Sequence, residues 1–554
     1  MLRANAERIA EVMKMDGVST SDEARAALDE YLDRKKGRPS EGFPAWYPFK
    51  KPMPRPHQMR ALDRKWRNTS FALHHDRGTG KTRTEIDYAC ARRMNGDIDA
   101  VLVAVKLSGR RTWQEQLCGP LAMPDGSVLD GWAPIPVDVH LPITDHERQF
   151  MTWLNTPHDF KWMVIGVESL SQGRMVELAR KFVSSFNSVL MIIDEAHLVA
   201  SHKASRTERV IELGQSCSYR DTATGTPIST GPLNLFSQFE FLDPDIIGIG
   251  DYYAFRNRYA VILRKETKAG REYPLLVGYQ NVDELTRSVA PYVDEIRKVD
   301  VLPDLPPKTY ERAYVQLGSE QRALYDKMRR DGMYKFKGKE MVTKNVLELI
   351  LRLHQVAGGF VTTYTEVPYT GVHGQQKIRR IPHWHAIVPW QRNPKIVELL
   401  DVAADDKQFI IWAAYIPEIE AIVQALQTTF PNERVCQIHG AIDESVRHEY
   451  RTAYQKGDYK FMVGNTATGG SADTWTACET MVYYSNTDRM IDREQSEDRA
   501  HRDGLTHPVL YIDLLASGSV DEVIMKSIEQ KVDLSEYVRQ NIKRASDMLG
   551  EAVK

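Results

Sequence analysis

The sequence contains few cysteines, no long apolar run and no apolar segment at its N-terminus. Its five cysteines are scattered over 554 residues, and no two form the Cys-x-x-Cys pair of a zinc or redox site. A sparse, odd set of this kind indicates reduced thiols in a cytosolic protein rather than a disulfide framework. No uninterrupted apolar stretch approaches the ~18 residues of a membrane-spanning helix. Because a signal peptide is also missing, we expect a cytoplasmic protein with no membrane association.

The sequence also lacks an excess of charge of either sign. Lysine and arginine number 73 against 75 aspartates and glutamates, which leaves a formal net charge of -2. A nucleic-acid partner would therefore require a local basic groove, since no global basic signal exists. Hydrophobic residues at 42% and charged residues at 27% are typical of a globular protein. At ~100–200 residues per domain, the length predicts about three or four domains.

Short apolar runs alternate with amphipathic helical stretches in two parts of the chain. The first part has runs at residues 71–73, 101–105, 164–167 and 189–193, and the second has runs at 409–412, 461–463, 481–484 and 509–512. Runs of this length are consistent with the buried strands of parallel sheets. The alternation predicts the α/β fold class, with two separate α/β domains.

The remaining segments show no such alternation. Residues 1–40 predict a short helical N-terminal appendage, for which packing is favoured over specific binding. We assign residues 41–300 to the first α/β domain, with a helical insertion from about 230, and residues 391–554 to the second. Residues 301–390 are predicted to be a second helical insertion and linker, largely helical over 318–357 and composed of loops or short strands over 361–390. Within it, residues 383–385 (HWH) favour a loop packing element over a metal site or a stacking platform.

A glycine-rich loop lies between an apolar strand and a helical stretch. Residues 78–82 read GTGKT. The backbone N–H groups of Gly78, Thr79 and Gly80 can close around phosphate at a helix N-terminus. Lys81 would reach the β- and γ-phosphates of ATP, and Thr82 would ligate Mg²⁺. His75 stands where the common GxxxxGK[ST] pattern has glycine, which leaves a chance glycine-rich turn as the alternative.

Two carboxylates directly follow the apolar run at residues 189–193. Asp194 and Glu195 are therefore expected at the C-terminal end of a strand, where open α/β sheets bind ligands. Asp194 would hold Mg²⁺ through water, and Glu195 would orient or deprotonate the attacking water. An exposed acidic strand end is the alternative, and the upstream phosphate loop weakens it.

Two arginines follow the strands of the second α/β part. Arg499 and Arg502 are three residues apart, so on a helix they would share a face. Arginine forks suit the charge on a transferring phosphoryl group. In isolation two such arginines are more often a solvated helix face, but the preceding Gln495 and their position favour a functional role.

In this order the motifs resemble those of the superfamily-two helicase-type ATPases, and within them the Swi/Snf-related double-strand DNA translocases. The resemblance covers about residues 50–530 and rests on an ordered set: GTGKT at 78–82, DEAH at 194–197, TGTP at 224–227 and Q-x-x-x-R-x-x-R at 495–502. The subfamily assignment rests on the less universal strings at 297–308 and 351–355. Departures occur at Ala472, Thr474 and Trp475, where the family form has another glycine and Asn-Leu.

The resemblance implies two RecA-like lobes with parallel sheets and helical insertions, and ATP in the cleft between them. Gln58 is similar to the family's adenine-reading glutamine, and Thr224 and Thr226 to residues that couple the ATP state to nucleic-acid contact. It also implies that Arg502 is favoured as the arginine finger, with Arg499 as its neighbour. A further set of residues would lie near nucleic acid and nucleotide: Gly469, Asp473 and Gln495.

The function implied is that of an ATP- and Mg²⁺-dependent motor that moves along duplex DNA and remodels forks, branched DNA or nucleoprotein. The chain is similar to compact prokaryotic or phage members, with a partner from replication, recombination or transcription. A strand-separating helicase on DNA or RNA stays open as an alternative. A nucleic-acid-binding scaffold with an inactive ATPase is the alternative of another class, and the intact Lys81, Asp194, Glu195 and Arg502 argue against it.

Overall fold

The computed structural model describes the chain from residue 42 to residue 541 with short gaps. The described residues are 42–122, 128–143, 146–158, 160–171, 173–228, 231–266, 272–336, 343–370, 375–469, 475–502 and 504–541. The predicted N-terminal appendage and Asp473 lie outside them. Contacts group the chain into two compact units, Met1–Pro303 and Asp304–Lys554. The finer division into four segments stays a prediction.

The first unit is an α/β unit built on a seven-stranded sheet. In chain order its elements are α1 (Pro56–Trp66), β1 (Ser70–His75), α2 (Lys81–Met94), β2 (Ala100–Val105), α3 (Arg110–Cys118), β3 (Leu121–Ala122), β4 (Val128–Leu129), β5 (Asp138–His140), α4 (Glu147–Asn155), β6 (Lys161–Gly166), α5 (Gly173–Ser184), β7 (Val189–Asp194), α6 (Ser205–Gln215), β8 (Tyr219–Thr224), α7 (Leu235–Leu242), α8 (Pro244–Ile247), α9 (Tyr252–Tyr259), β9 (Ala260–Glu266), β10 (Glu272–Tyr279), α10 (Val282–Val289), β11 (Val293–Ile296) and α11 (Lys298–Val301).

The strands of this sheet run parallel in the order β11-β1-β8-β7-β2-β6-β5. The interior strand β2 is buried along its whole length. Its residues alternate between two hydrophobic clusters. Leu102 and Ala104 belong to the first cluster, and Val101 and Val103 belong to the second. Helices therefore cover both faces, which explains the continuous apolar runs of the sequence. Because the strands are parallel, the segments that follow β1, β7 and β8 emerge at the same edge of the sheet.

The second unit repeats this architecture on a six-stranded parallel sheet, in the order β12-β19-β18-β15-β17-β16. Its elements are β12 (Lys308–Val315), α12 (Ser319–Phe336), α13 (Thr343–Gly358), β13 (Phe360–Thr370), β14 (Gln376–Ala386), α14 (Pro394–Val402), β15 (Phe409–Trp412), α15 (Ile416–Thr429), β16 (Val435–Ile438), α16 (Glu444–Gln455), β17 (Phe461–Gly464), α17 (Thr466–Gly469), β18 (Thr480–Tyr483), α18 (Met490–Ala500), β19 (Val509–Ala516), α19 (Val520–Glu529) and α20 (Leu534–Asn541).

The predicted fold class, two α/β domains with parallel sheets, is confirmed. The pattern of apolar runs did not reveal β8 or β11. Strand β8 carries Arg220, Asp221 and Thr222, a polar sequence that the apolar-run criterion misses, and β11 is only four residues long. Among the described residues, none of the helices combines the length and the apolar character needed to cross a membrane.

The prediction of loops or short strands over residues 361–390 is correct about strands and wrong about their length. Strands β13 and β14 have eleven residues each and pair antiparallel along their whole length. Their threonine, tyrosine, valine and isoleucine residues favour strands. Pro368 and Pro382 are tolerated because both strands are edges of a two-stranded sheet, where a missing N–H can face solvent. The HWH residues lie in β14, and Trp384 is 43% exposed rather than packed.

Candidate nucleotide site

The glycine-rich loop joins β1 to the N-terminus of α2. Gly78 and Gly80 have φ values of 81° and 88°, in the left-handed region that glycine adopts without strain. A Cβ at Gly80 would lie only 2.2 Å from Gln58 Nε2, so a larger residue would displace the Gln58 side chain as well as strain the backbone. The Thr79 hydroxyl donates to the Asp76 carbonyl at 2.7 Å, which closes the turn. The loop therefore has the form of a phosphate cradle at a helix N-terminus.

The ammonium group of Lys81 lies against the carbonyls of this same loop. Its Nζ donates to His75 O at 2.8 Å and to Asp76 O at 3.3 Å. Thr82 follows as the second residue of α2 and is half-buried. The lysine charge is thus held at the loop and Thr82 lies in the first turn of the helix, while their phosphate and Mg²⁺ roles stay predictions.

Gln58 lies in the first turn of α1 and contacts the loop directly. Its Nε2 donates to Gly80 O at 3.2 Å, while its Oε1 accepts from the Arg55 backbone N–H at 2.8 Å. The neighbouring His57 places Nε2 2.9 Å from Thr79 O. These contacts fix the start of α1 beside the loop, and the adenine-reading role of Gln58 stays a prediction.

The two carboxylates lie where β7 ends. Asp194 Oδ2 accepts a hydrogen bond of 2.7 Å from the indole N–H of Trp113. Glu195 has φ 60° and ψ 57°, a left-handed conformation that is uncommon outside glycine. Sparsely populated conformations of this kind persist only where the surroundings hold them, and they cluster at functional sites.

A closed set of hydrogen bonds joins Glu195 to both other motifs of the first unit. Glu195 accepts from Arg77 Nε at 3.3 Å and from the Thr224 hydroxyl at 3.4 Å, and His197 Nδ1 lies 3.2 Å from it. Arg77 Nη2 reaches the Thr226 hydroxyl at 3.5 Å, and the Thr226 N–H donates to Thr224 Oγ1 at 3.1 Å. The phosphate loop, the DEAH segment and the TGTP segment therefore form one connected site, which we call the motif ring.

The same contacts control the ionisation of Glu195. Burial alone would raise its pKa, but the Arg77 charge, the His197 hydrogen bond and the Lys81 charge hold the pKa well below its usual range. Glu195 is therefore a carboxylate at neutral pH. A buried, oriented carboxylate can accept a hydrogen bond or a proton from water.

Arg77 is a functional candidate that the sequence reasoning missed. It is 7% exposed and lies inside the loop that the GTGKT pattern defines only from Gly78 onward. A Cβ on Gly225 would lie 3.2 Å from Arg77 Cγ and 3.3 Å from His75 O, so glycine permits this close approach of the TGTP segment. The available signal was a basic residue directly before the loop glycines.

Replacing Arg77 with methionine tests this role. Since the Arg77 charge lowers the pKa of Glu195, its loss should raise that pKa. The acid limb of the pH profile, the range in which hydrolysis declines as Glu195 is protonated, should therefore move to higher pH. A hydrogen bond to a charged group contributes about 1.5–3 kcal/mol, so we expect ATP hydrolysis to fall by about tenfold or more. The measurement is kcat against pH, with Arg77→Lys as the charge-retaining control. An acid limb at the wild-type position would contradict the assignment.

A buried ionic cluster joins α1, α2 and β8, which carry residues of the candidate site. The Lys65 ammonium of α1 contacts the carboxylate of Glu85 on α2 and that of Asp221 on β8, the latter at 2.9 Å. All three residues are almost fully buried. Burial raises the pKa of Glu85 to about 8, against the opposing charge of Lys65. The cluster links the elements that carry Gln58, Lys81 and Thr224.

His75, the departure from the usual glycine, has a structural role. Its Nε2 lies 2.9 Å from Asp294 Oδ2 of β11, and Arg64 Nη1 donates to the other oxygen at 2.9 Å. Burial lowers the pKa of His75 to about 4, so the ring is neutral at pH 7. Next to it, Asp76 Oδ2 accepts from the Lys298 N–H at 2.7 Å. The loop is thereby anchored to the edge strand of the sheet.

In the second unit, α18 carries Gln495 and Arg499. Arg493 fixes this helix: it lies 3.3 Å from the Tyr483 ring centroid, and its guanidinium bonds Asp513 and, at 2.7 Å, Glu497. Lys308 also bonds Glu497, at 2.9 Å. Sequence reasoning did not single out Arg493, whose burial only the tertiary structure reveals.

The two candidate arginines do not share a helix face. Helix α18 ends at Ala500, and His501 has φ -81° and ψ 79°, so Arg502 belongs to the segment that follows. Both side chains are half-buried. Gln495 is buried within α18, and Gly469 is the last residue of α17.

The donor chemistry fits Mg²⁺. No group of three or more histidine, cysteine or carboxylate side chains that could hold a metal occurs in the described ranges. Magnesium needs no such cage, because it usually takes one or two carboxylates together with phosphate oxygens and water. Asp194 and Thr82 carry oxygen atoms of this kind and would hold the ion.

The family models match most of the chain. A SNF2-related domain matches residues 57–358, and a helicase conserved C-terminal domain matches residues 391–504. The motif ring lies in the first match, and α18 with both candidate arginines lies in the second. The chain therefore belongs to the SNF2-related family of helicase-type ATPases.

Several curated proteins are similar to this chain. TATA-binding protein-associated factor 172 from Homo sapiens is 23% identical over 63% of the chain and 20% of its own length. The putative ATP-dependent helicase/translocase YwqA from Bacillus subtilis is 21% identical over 65% of the chain and 36% of its own length. The chain thus spans only about a fifth to a third of these relatives.

Among solved structures, the chain is similar to the Sulfolobus solfataricus SWI2/SNF2 ATPase core in complex with dsDNA. The identity is 19%, the match covers 92% of this chain and 97% of that one, and the TM-score is 0.39.

Proposed function

We propose that this chain is an ATP-driven motor that moves along duplex DNA and acts on forks, branched DNA or nucleoprotein. The observation that carries the proposal is the motif ring, in which the phosphate loop, Glu195 and the TGTP threonines are hydrogen-bonded together. A ring of this kind transmits a change at the phosphate loop to the TGTP segment. The family match supports the ATPase chemistry, while the duplex substrate stays a proposal.

Each candidate site residue of the first unit has a proposed role. Gly78 to Lys81 bind the phosphates, and Gln58 binds the adenine. Thr82 and Asp194 hold Mg²⁺, which when bound would neutralise charge on the transferring phosphoryl group. Glu195 orients the attacking water and accepts its proton.

The second unit supplies the remaining proposed roles. Arg499 and Arg502 stabilise the charge that develops on the transferring phosphoryl group, with Arg502 as the finger. Gly469, Asp473 and Gln495 couple nucleotide turnover to DNA contact, together with Thr224 and Thr226 of the first unit. DNA would be held by phosphate contacts, which position a duplex without reading its sequence.

Arg502→Ala should retain ATP binding and lose hydrolysis. An arginine finger contributes about 10³–10⁵ in rate, so we expect a loss of that order in kcat with nucleotide affinity near the wild type. Arg499→Ala should cost less. Fluorescent-nucleotide titration and single-turnover hydrolysis separate the two effects. Loss of nucleotide binding in the Arg502 variant would assign it a structural role instead.

The proposed function is tested by the ATPase rate without nucleic acid and with single-stranded DNA, double-stranded DNA or RNA. All four are measured at one salt concentration, because phosphate-driven binding depends steeply on salt. Stimulation by double-stranded DNA alone supports the duplex motor. Stimulation by single strands or RNA would favour the strand-separating helicase, and no hydrolysis under any condition would favour the scaffold.

A further inference from the structure

Strands β13 and β14 form a two-stranded sheet that belongs to neither parallel sheet. We call these two strands, residues 360–370 and 376–386, the ribbon. The first family match ends at residue 358 and the second begins at 391, so the ribbon lies in neither. Family membership therefore gives it no role.

The ribbon is exposed on both faces. Residues 363–368 and 378–385 are all exposed, and the larger apolar side chains among them include Ile378 at 64%, Tyr364 at 46% and Trp384 at 43%. Soluble proteins rarely expose a contiguous group of large apolar side chains unless it contacts another molecule. Tyr364 contacts Arg352 of α13, through its hydroxyl at 3.2 Å and its ring at 5.1 Å. Ile378 and Trp384 belong to none of the hydrophobic clusters that the described residues of the second unit form, so packing within the unit does not explain their exposure.

The register divides the side chains into two faces. Paired residues such as Thr362 with Trp384, Tyr364 with Pro382 and Pro368 with Ile378 share one face, which we call the aromatic face. Arg379, Ile381, His383 and His385 share the opposite face with Thr363, Thr365 and Val367, and we call it the basic face.

The charge of the ribbon differs from that of the whole chain. Strand β14 contains Lys377, Arg379, Arg380 and two histidines and no carboxylate, whereas the chain carries a net charge of -2. The one carboxylate of β13, Glu366, pairs with Arg380 at 2.8 Å on the aromatic face. The described side chains of the basic face therefore include no negative charge, a distribution that complements a polyanion.

The dimensions fit a duplex. Eleven residues at about 3.4 Å each give a length of about 37 Å, close to one turn of B-DNA at about 34–36 Å. The major groove is about 12 Å wide and admits a two-stranded β-ribbon. Thr363 and His385, whose Oγ1 and Nε2 atoms are 3.0 Å apart, add polar groups that can reach phosphate oxygens.

The root of the ribbon is hydrogen-bonded to the body of the second unit. It follows the last turn of α13, whose carbonyls are capped by buried side chains: Gln321 donates to Val356 and Ala357, and Asn393 and Tyr484 donate to Gly358. Phe360 is buried, and the Ile387 N–H donates to Gly359 O at 2.9 Å. Anything bound to the ribbon is therefore held to the core of the second unit.

We propose that the ribbon is an accessory binding element for duplex DNA, with its basic face on the phosphate backbone and Trp384 and Tyr364 providing apolar contact. The proposal deepens and rests on the proposed function, because the DNA would be the track of the motor. The ribbon would keep the second unit attached to the track while the first unit exchanges nucleotide.

The first test shortens the ribbon. Replacing residues 364–382 with Asn-Gly leaves Thr363 opposite His383 across a two-residue hairpin turn and preserves the root. We expect the Kd for a duplex, measured by fluorescence anisotropy, to rise by about tenfold and the slope of log K against log salt to fall by about one or more. ATP hydrolysis without DNA should stay at the wild-type rate, which shows that the core is folded.

Point variants separate the contribution of charge to duplex binding from that of apolar contact. Arg379→Glu should weaken duplex binding and reduce the salt slope, whereas Trp384→Ala should weaken binding with the slope unchanged. Arg330→Glu, at an exposed position of α12 in the same unit, is the matched control and should leave both values unchanged. A photo-crosslinking residue at Ile378 should attach to duplex DNA, and one at Val397, 42% exposed on α14, should not.

The outcomes distinguish the ribbon from the motor. If the shortened variant binds duplex DNA with the wild-type Kd and salt slope, the ribbon proposal is overturned even when duplex DNA stimulates the ATPase. In that case a protein partner becomes the alternative occupant of the aromatic face. If duplex binding depends on the ribbon but DNA fails to stimulate hydrolysis, the ribbon proposal stands and the motor proposal fails. A wild-type chain that binds no duplex overturns both.

Discussion

Lys81→Ala is expected to reduce ATP hydrolysis by about 10²–10³-fold, the typical effect of removing one donor that stabilises developing charge. The ammonium lies 2.8 Å from His75 O and 3.3 Å from Asp76 O, at the glycine-rich loop that we propose as the phosphate site. An alanine removes the only side-chain cation that the GTGKT motif supplies to phosphate. The measurement is steady-state ATPase with saturating nucleic acid, alongside nucleotide affinity.

Two variants make this prediction specific. Lys81→Arg keeps the charge but changes its reach, so only partial activity should return. Lys181→Ala removes a half-exposed lysine that pairs with Glu147 on the surface of the same unit, and it should leave the ATPase rate unchanged. Thermal unfolding should show a cooperative transition for all three variants. Wild-type turnover in Lys81→Ala would show that the loop does not bind the reacting phosphate.

Glu195→Gln is expected to reduce hydrolysis by about 10²–10⁴-fold while nucleotide and DNA binding persist. The glutamine keeps the shape of the side chain: its one oxygen can still accept from Arg77 Nε, and its NH2 group then faces the Thr224 hydroxyl, which can accept instead of donate. It cannot accept a proton from water as the carboxylate does. The variant should therefore accumulate in an ATP-bound state with DNA attached, which a filter-binding or anisotropy assay detects.

The pH dependence of Glu195 has a defined sign. Because Arg77, His197 and Lys81 hold its pKa well below the usual range, the wild-type carboxylate is charged at neutral pH and loses its charge only in acid. The residual activity of Glu195→Gln should lack this acid limb. Glu177→Gln, at an exposed position of α5, is the control and should keep both the rate and the limb. Normal hydrolysis in Glu195→Gln would show that another group polarises the water.

The candidate site was partly accessible from sequence because its motifs are local. The GTGKT and DEAH strings each follow an apolar strand, so parallel pairing alone brings Lys81 and Asp194 to one edge of the sheet. Arg77 was missed because its contacts, Glu195 and Thr226, are more than a hundred residues away. Arg493 was missed because a buried arginine is indistinguishable in sequence from a solvated one.

The strands also divide into those that a local apolar pattern reveals and those that it does not. Strands β2 and β7 were recognised because both faces are buried, which demands continuous apolar residues. Strand β8 escaped because Asp221 is buried against Lys65, an ion pair that no local pattern shows. The length of the ribbon strands escaped because exposed strands need no apolar face, so no apolar pattern marked how far they extend.

The sequence by itself determined the two α/β domains, the glycine-rich loop before α2 and the order of the motifs, since each depends on residues close together in the chain. The tertiary structure alone decided the motif ring, the anchoring of His75 by Asp294, the end of α18 before Arg502 and the exposure of the ribbon. These depend on which distant residues meet and on how far a strand extends from the core. Both are set by packing across the whole unit, which a local pattern does not encode.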